Sequence, residues 1–198
     1  AHVAQYIVAQ LLGAIFGQLV VVGVYGPYFR KTENPNPVLG SFSTISALDD
    51  GTKASQKASL INGFANEFAG SFVLFFGALA LTKNFFGAEL VGKLIEAGYD
   101  KAVATQQVAP YITGSLAVAH IAVGFLVMTL VASLGGPTGP ALNPARDLGP
   151  RLVHHFLPKS VLGQAKGDSK WWYSWVPVIA PIVAAIVAIA LFKFLYIK

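Results

Sequence analysis

Charge is missing from most of this chain in long runs. No Asp, Glu, Lys or Arg occurs from Ala1 to Phe29, from Ala102 to Ala145 or from Trp171 to Phe192, and Lys57 to Lys83 encloses only Glu67. A segment of about 20 mostly apolar residues crosses the hydrocarbon core of a bilayer. Backbone inside lipid must satisfy its own N–H and C=O groups, so such segments become helices or closed barrels. Composition agrees: 12% of the 198 residues are charged, 55% are hydrophobic and the mean hydropathy is +0.60, against about a quarter charged in a soluble domain. The sequence therefore specifies an all-α integral membrane protein in a multi-pass arrangement, expected in the cell membrane. The net charge of +5 is scattered, without aromatic interleaving, so nucleic acid is not an expected partner and the lipid bilayer is. The absence of Cys excludes disulfides and thiol chemistry. The first apolar run lacks a basic leader and a small-residue cleavage site, and does not read as a signal peptide.

Four spanning helices and one helix too short to span fit the pattern. The first runs from Val3 to Tyr25, ends at Gly26-Pro27 and carries a small-residue stripe, Ala9, Gly13 and Gly17, of the kind that lets backbones approach closely in lipid. Arg30 to Gln56 is polar and reads as a loop, with turn signals at Asn34-Pro35-Asn36-Pro37 and Asp49-Asp50-Gly51. The second helix spans Ala58 to Leu81, with Gly63, Gly70 and Gly77 on nearly one face. Lys83 to Gln107 is polar except for an amphipathic piece, Ala88 to Glu96, read as a short interfacial or capping helix. The third spanning helix runs from Ile112 to Ser133, followed by a Gly/Pro break, Gly135 to Pro140. The short helix covers Pro144 to Phe156. The last spans Trp172 to Leu195, with Trp171, Trp172, Tyr173 and Trp175 at its start as an interfacial belt. Loop charge does not orient the bundle: nine Lys/Arg lie on one side, two of them in the short helix, and five on the other.

The stretch from Gly139 to Pro150, GPALNPARDLGP, carries the functional argument. Asn is a favoured N-cap and Pro a favoured first helical residue, so Asn143-Pro144 opens a helix. That helix starts inside an uncharged run, at membrane depth, after backbone that cannot itself be helical. Such backbone is tolerated only where it is buried in protein or lines a wet cavity. Arg146 lies three residues beyond Asn143, on nearly the same face, and a charge there must face a cavity or a partner. A positive helix end, an amide and a guanidinium beside a wet path repel cations and donate hydrogen bonds to neutral polar solutes.

At these residues the chain resembles the aquaporin/glycerol-facilitator (major intrinsic protein) family, and specifically its second half-helix. The resemblance extends over essentially the whole chain through Asn66-Glu67, the Gly/Pro loop, Asn-Pro-Ala-Arg at 143–146, and Pro177 with Pro181. It implies an inverted-repeat helical bundle of six spanning helices and two half-helices, assembled as a homotetramer with one pore per subunit. This chain holds four of those helices and one half-helix as a single channel domain, residues 1–198. The first two helices, the first half-helix and one filter residue are expected to lie outside this sequence. The resemblance makes Asn143 the pore-centre asparagine, with Pro144 and Ala145 completing its motif, and Arg146 the selectivity-filter arginine. The carbonyls of Gly139, Pro140 and Ala141 would accept hydrogen bonds from solute. Asp147, Arg151, Pro177 and Val178 match the glycerol-conducting branch. The other filter positions are Val131 and Pro140, where glycerol facilitators commonly carry Gly and Phe and strict water channels His and a small residue. That departure implies a wide, rather apolar constriction without the filter's aromatic wall or histidine. The solute class widens accordingly to small uncharged solutes: glycerol-type polyols, urea, hydrogen peroxide or protonated lactic acid, together with water.

Several residues admit two accounts. Glu67 is either a proton relay or a buttress accepting N–H groups of the loop before Asn143, and the resemblance implies the buttress. Asp147 and Arg151 form either a local i, i+4 ion pair or solute contacts. His120 is either a gate titrating near neutral pH or a packed side chain. His154-His155 reads as a helix end, without the third ligand that a metal site needs. No nucleophile or phosphate-loop pattern occurs, so neither an enzyme nor a cofactor is expected. The competing function is an ion-coupled secondary transporter of a small polar solute, for which Glu67 is the available coupling carboxylate.

Overall fold

The computed structural model describes residues 2–83 and 85–196. Among them eight helices form and no strand: α1 Val3–Lys31, α2 Pro35–Gly40, α3 Lys53–Thr82, α4 Phe85–Glu96, α5 Lys101–Thr138, α6 Pro144–Phe156, α7 Lys159–Leu162 and α8 Val176–Tyr196. Four segments have the length and hydropathy to cross a membrane: α1, α3, residues Thr113–Thr138 of α5, and α8. α3 packs along α8 and α5, while α1 packs against α6 and α7, and α6 also meets α8.

The helices bury polar and small residues and turn apolar ones outward. α1 buries Gln18, Gly26 and Phe29 while Tyr6, Phe16 and Val20 are exposed. α3 buries Ser59, Gly63, Asn66, Glu67, Gly70 and Ser71. In lipid there is no hydrophobic gain from hiding Leu or Val, so close backbone approach and hydrogen bonding decide which face turns inward. Three α3 glycines receive neighbouring side chains: a Cβ at Gly63 would stand 2.0 Å from the Tyr173 hydroxyl, at Gly70 2.6 Å from Leu142, and at Gly77 2.8 Å from Leu126. Gly149 likewise brings α6 onto α1, where its Cβ would lie 2.9 Å from that of Ala14 and 3.2 Å from the Leu11 carbonyl. The stripe of Gly13 and Gly17 meets no such neighbour within the described residues. A small apolar core of Phe29, Val38, Phe42, Val153 and Leu162 closes the end of the molecule where the α1–α3 connection meets α6 and α7.

Several element boundaries differ from the sequence expectation. The first helix does not stop at Gly26-Pro27. Pro27 falls in the final turns of α1, and the helix closes beyond it, where the Thr32 N–H and hydroxyl both donate to the Tyr28 carbonyl. The segment read as a loop from Arg30 to Gln56 contains α2, whose N-cap Asn34 accepts from the Asn36 N–H. It ends early because Thr52 caps α3 at Lys53 rather than at Ala58. The amphipathic piece expected from Ala88 begins at Phe85, and α5 takes up residues 101–107 of the polar stretch Lys83–Gln107. The third spanning helix, expected over Ile112–Ser133, extends from Lys101 to Thr138, so Gly135-Gly136-Pro137 is helical. Proline costs a helix one hydrogen bond and crowds a carbonyl. Here the end of α5 is supported from outside, since the Asn66 amide donates to the Leu134 carbonyl and the Ala47 N–H to that of Pro137. The last helix starts at Val176, because the aromatic cluster Trp171–Trp175 is wound into turns.

Candidate functional site

The break between α5 and α6 is five residues long, Gly139 to Asn143. Gly139 ends α5 at φ 59°, a left-handed conformation suited to glycine. Leu142 has φ 54°, where a side chain is strained. Two contacts hold it. Its N–H donates to Glu67 at 2.9 Å, and its side chain occupies the space left by Gly70. The Glu67 carboxylate, fully buried in mid-α3, also accepts the Ala141 N–H at 2.9 Å and the Thr138 hydroxyl at 3.3 Å. Asn66 completes the brace with a 2.7 Å bond from its amide to the Thr138 hydroxyl. One acid side chain thus takes two backbone N–H groups of the break and the hydroxyl that precedes it.

Asn143 caps α6. Its amide oxygen accepts the Ala145 N–H at 2.9 Å, and its NH2 group donates to Gln10 Oε1 of α1 at 3.2 Å. Arg146, one turn on, donates to the Phe42 carbonyl at 3.3 Å and stays exposed. Both residues border a cavity of about 630 Å³ whose wall also includes Val131, Pro140, Ala141, Leu142 and Pro144. Six of the residues singled out from sequence thus share one cavity. Gly139 and Ala145 are not on its wall, and Ala145 is buried. Among the described residues no hydrogen bond engages the carbonyls of Gly139, Pro140 or Ala141. Gln10, Leu74, Phe75 and Val127 line the cavity without having been foreseen. Leu74 lies seven residues beyond Glu67, two turns along one helix face, a spacing that could have found it. Gln10 had only its polarity within an uncharged run to mark it. Phe75 supplies an aromatic wall from α3 rather than from the filter positions.

Asp147 and Arg151 do not face the cavity. Both are completely buried and paired, with Nε to Oδ2 at 2.8 Å. Pro177 is buried in the first turn of α8, and Val178 follows it, half-buried. His120 is exposed and bonds the Leu116 carbonyl of its own helix. His154, near the end of α6 and outside the four spanning helices, is buried with Nδ1 against the Ser169 hydroxyl at 2.8 Å. Burial, with Lys166 and Arg151 nearby, pushes its imidazole down to about 4. Burial, reinforced by Glu67 and Asp147, likewise raises the Tyr173 phenol far above its ordinary range. Among the described residues no three His, Cys, Asp or Glu side chains gather as a metal site would need.

The arrangement is thus a cavity with mainly apolar walls and with a helix N-terminus, an amide and a guanidinium on one side of it. The major intrinsic protein model matches residues 1–94 and 85–192. The chain is 58% identical over 205 residues to the glycerol facilitator-aquaporin gla of Lactococcus lactis subsp. lactis (strain IL1403), covering 99% of this chain and 71% of that protein. It is 41% identical to the glycerol uptake facilitator protein-like 5 of Lactiplantibacillus plantarum, over 99% of this chain and 63% of the relative. With the glycerol uptake facilitator protein of Bacillus subtilis it shares 38% identity, over 92% and 52%.

Proposed function

The chain belongs to the major intrinsic protein family, and we propose that it forms a passive channel for small uncharged polyols of the glycerol type and for water. The observation that carries this reading is the cavity at the α5–α6 break, where Asn143 and Arg146 donate from one wall while Val131, Pro140, Leu74 and Phe75 offer apolar surface. A polyol has one hydroxylated and one hydrocarbon edge, and such a wall matches both. Single-file passage would use the Asn143 NH2 and the Arg146 guanidinium as donors and the carbonyls of Gly139, Pro140 and Ala141 as acceptors. The Arg146 charge and the positive end of α6 would exclude cations and protons. Urea, hydrogen peroxide and protonated lactic acid fall within the same solute class. The protein's relatives named for glycerol support that solute first. We propose for the complete protomer the family's two-repeat bundle, assembled as a homotetramer.

The alternative, an ion-coupled transporter, needs a carboxylate that can exchange its ion. Glu67 is fully buried and engaged by two N–H groups and a hydroxyl, which favours the channel. Tracer glycerol entry into proteoliposomes with and without an imposed proton or sodium gradient separates the two. Equal rates and equilibration without accumulation are expected of the channel. Accumulation above the external concentration would overturn it in favour of coupling.

A further inference from the structure

We infer that the buried Asp147–Arg151 pair is a positioning device for Arg146, acting through the segment Phe42–Thr44, so that solute selectivity is set partly by residues that never touch solute. The inference rests on the channel reading of the cavity. It starts from where the pair's hydrogen bonds go. Asp147 Oδ1 accepts the Thr44 N–H at 2.8 Å and the Thr44 hydroxyl at 3.0 Å, while the Asp147 carbonyl accepts the Ser43 hydroxyl at 3.2 Å. Arg151 Nη2 donates at 2.7 Å to the Thr44 carbonyl. Both charged residues therefore grip one residue, Thr44, two positions after the Phe42 carbonyl that receives the Arg146 guanidinium at 3.3 Å.

Phe42 is held from its other end as well. Its ring is buried in the core with Phe29, Val38, Val153 and Leu162 and lies edge-on to His154 at 5.2 Å. With the ring anchored below and Thr44 anchored beyond, the Phe42 carbonyl has little freedom, and neither does the guanidinium bound to it.

The third support comes from Lys170, which adopts φ 47°, a strained conformation for a residue with a side chain. That turn aims the carbonyls of Ser169 and Lys170 at Arg151 Nη1, at 2.6 and 3.3 Å. The Lys170 ammonium meanwhile pairs with Asp49 and donates to Asn36 at 3.0 Å. Three segments, 42–49, α6 and 169–170, are thus tied together around one buried guanidinium. A solute-contacting role would require Asp147 or Arg151 at the cavity, and both are wholly enclosed. A local helix pair would not require Thr44, Ser169 and Lys170 as further partners.

The test is a double-mutant cycle in proteoliposomes, reading glycerol permeability, water permeability and proton leak. Asp147→Ser with Arg151→Ala removes both charges together, so that neither is left buried and unpaired. In this variant the ratio of glycerol to water permeability should change by about threefold or more, with a proton leak. Adding Arg146→Ala to it should then change the leak far less than the same substitution does in the natural protein. Thr44→Val, a smaller disturbance, should shift the ratio in the same direction, and Thr44→Ser should restore it. Independent, additive effects of the pair and of Arg146, or an unchanged ratio in Thr44→Val, would overturn the inference and leave the pair a structural brace. The channel reading fails separately, if the natural protein itself passes no glycerol.

Discussion

Asn143 and Arg146 both bond to the protein and both border the cavity. The Asn143 oxygen takes the α6 cap and its NH2 group donates to Gln10, leaving one N–H to offer, and Arg146 has donors alone. The proposed channel would present neutral hydroxyl solutes with these donors, and the Arg146 charge would repel cations. Replacing Arg146 with Ala should leave glycerol flux equal or higher and introduce a proton or cation leak, measured with a pH-sensitive dye inside vesicles. Unchanged ion exclusion would remove Arg146 from that role. Pro140, on the same wall, has no bulk beyond its ring. Pro140→Phe should narrow the passage and slow glycerol more than water, and equal slowing of both would show that the constriction lies elsewhere.

The elements depend on close approaches that single residues permit. Gly149 sets α6 against α1, and a methyl group there would press on Ala14 and the Leu11 carbonyl. Overpacking of this kind costs about 1–3 kcal/mol, so Gly149→Ala should lower the melting temperature in detergent and reduce flux of every solute alike. His154, at the far end of the same helix, titrates near 4 when folded against about 6.5 in an unfolded chain. The unfolded state binds the proton first as pH falls. Above pH about 6.5 this residue adds no pH dependence, and its contribution is lost progressively between about 6.5 and 4. His154→Gln should flatten the fall in stability over that interval, a comparison that thermal melts at several pH values make directly. At this scale the sequence was only partly legible. The start of the half-helix is legible because Asn143-Pro144 is a local start signal, and the spanning helices are legible because bilayer thickness demands them. The continuation of α5 through Gly135-Gly136-Pro137 was missed, because its support comes from Asn66 and Ala47, far away in sequence. The grip of Asp147 and Arg151 on Thr44 was invisible for the same reason, since an i, i+4 pair explains itself without a third segment. Gln10 and Phe75 reach the cavity only through the packing of α1 and α3.

Taken whole, the molecule is built outward from one interruption. An acid buried in α3 holds the break between α5 and α6 by the Ala141 and Leu142 N–H groups, that backbone turns α5 into α6, and the start of α6 faces a cavity with mainly apolar lining. On the channel reading proposed above, this arrangement suits passage of a neutral solute, because Glu67, the acid beside the cavity, is engaged by the backbone it holds. Permeation should therefore need no energy source and should discriminate by size and hydrogen bonding. The most direct test is stopped-flow light scattering of proteoliposomes containing the intact protein, challenged first with sorbitol and then with glycerol. The account predicts rapid shrinkage in sorbitol without recovery, and in glycerol a shrinkage followed by fast re-swelling that is indifferent to ion gradients. Shrinkage in glycerol without re-swelling, at the rate of protein-free vesicles, would contradict it.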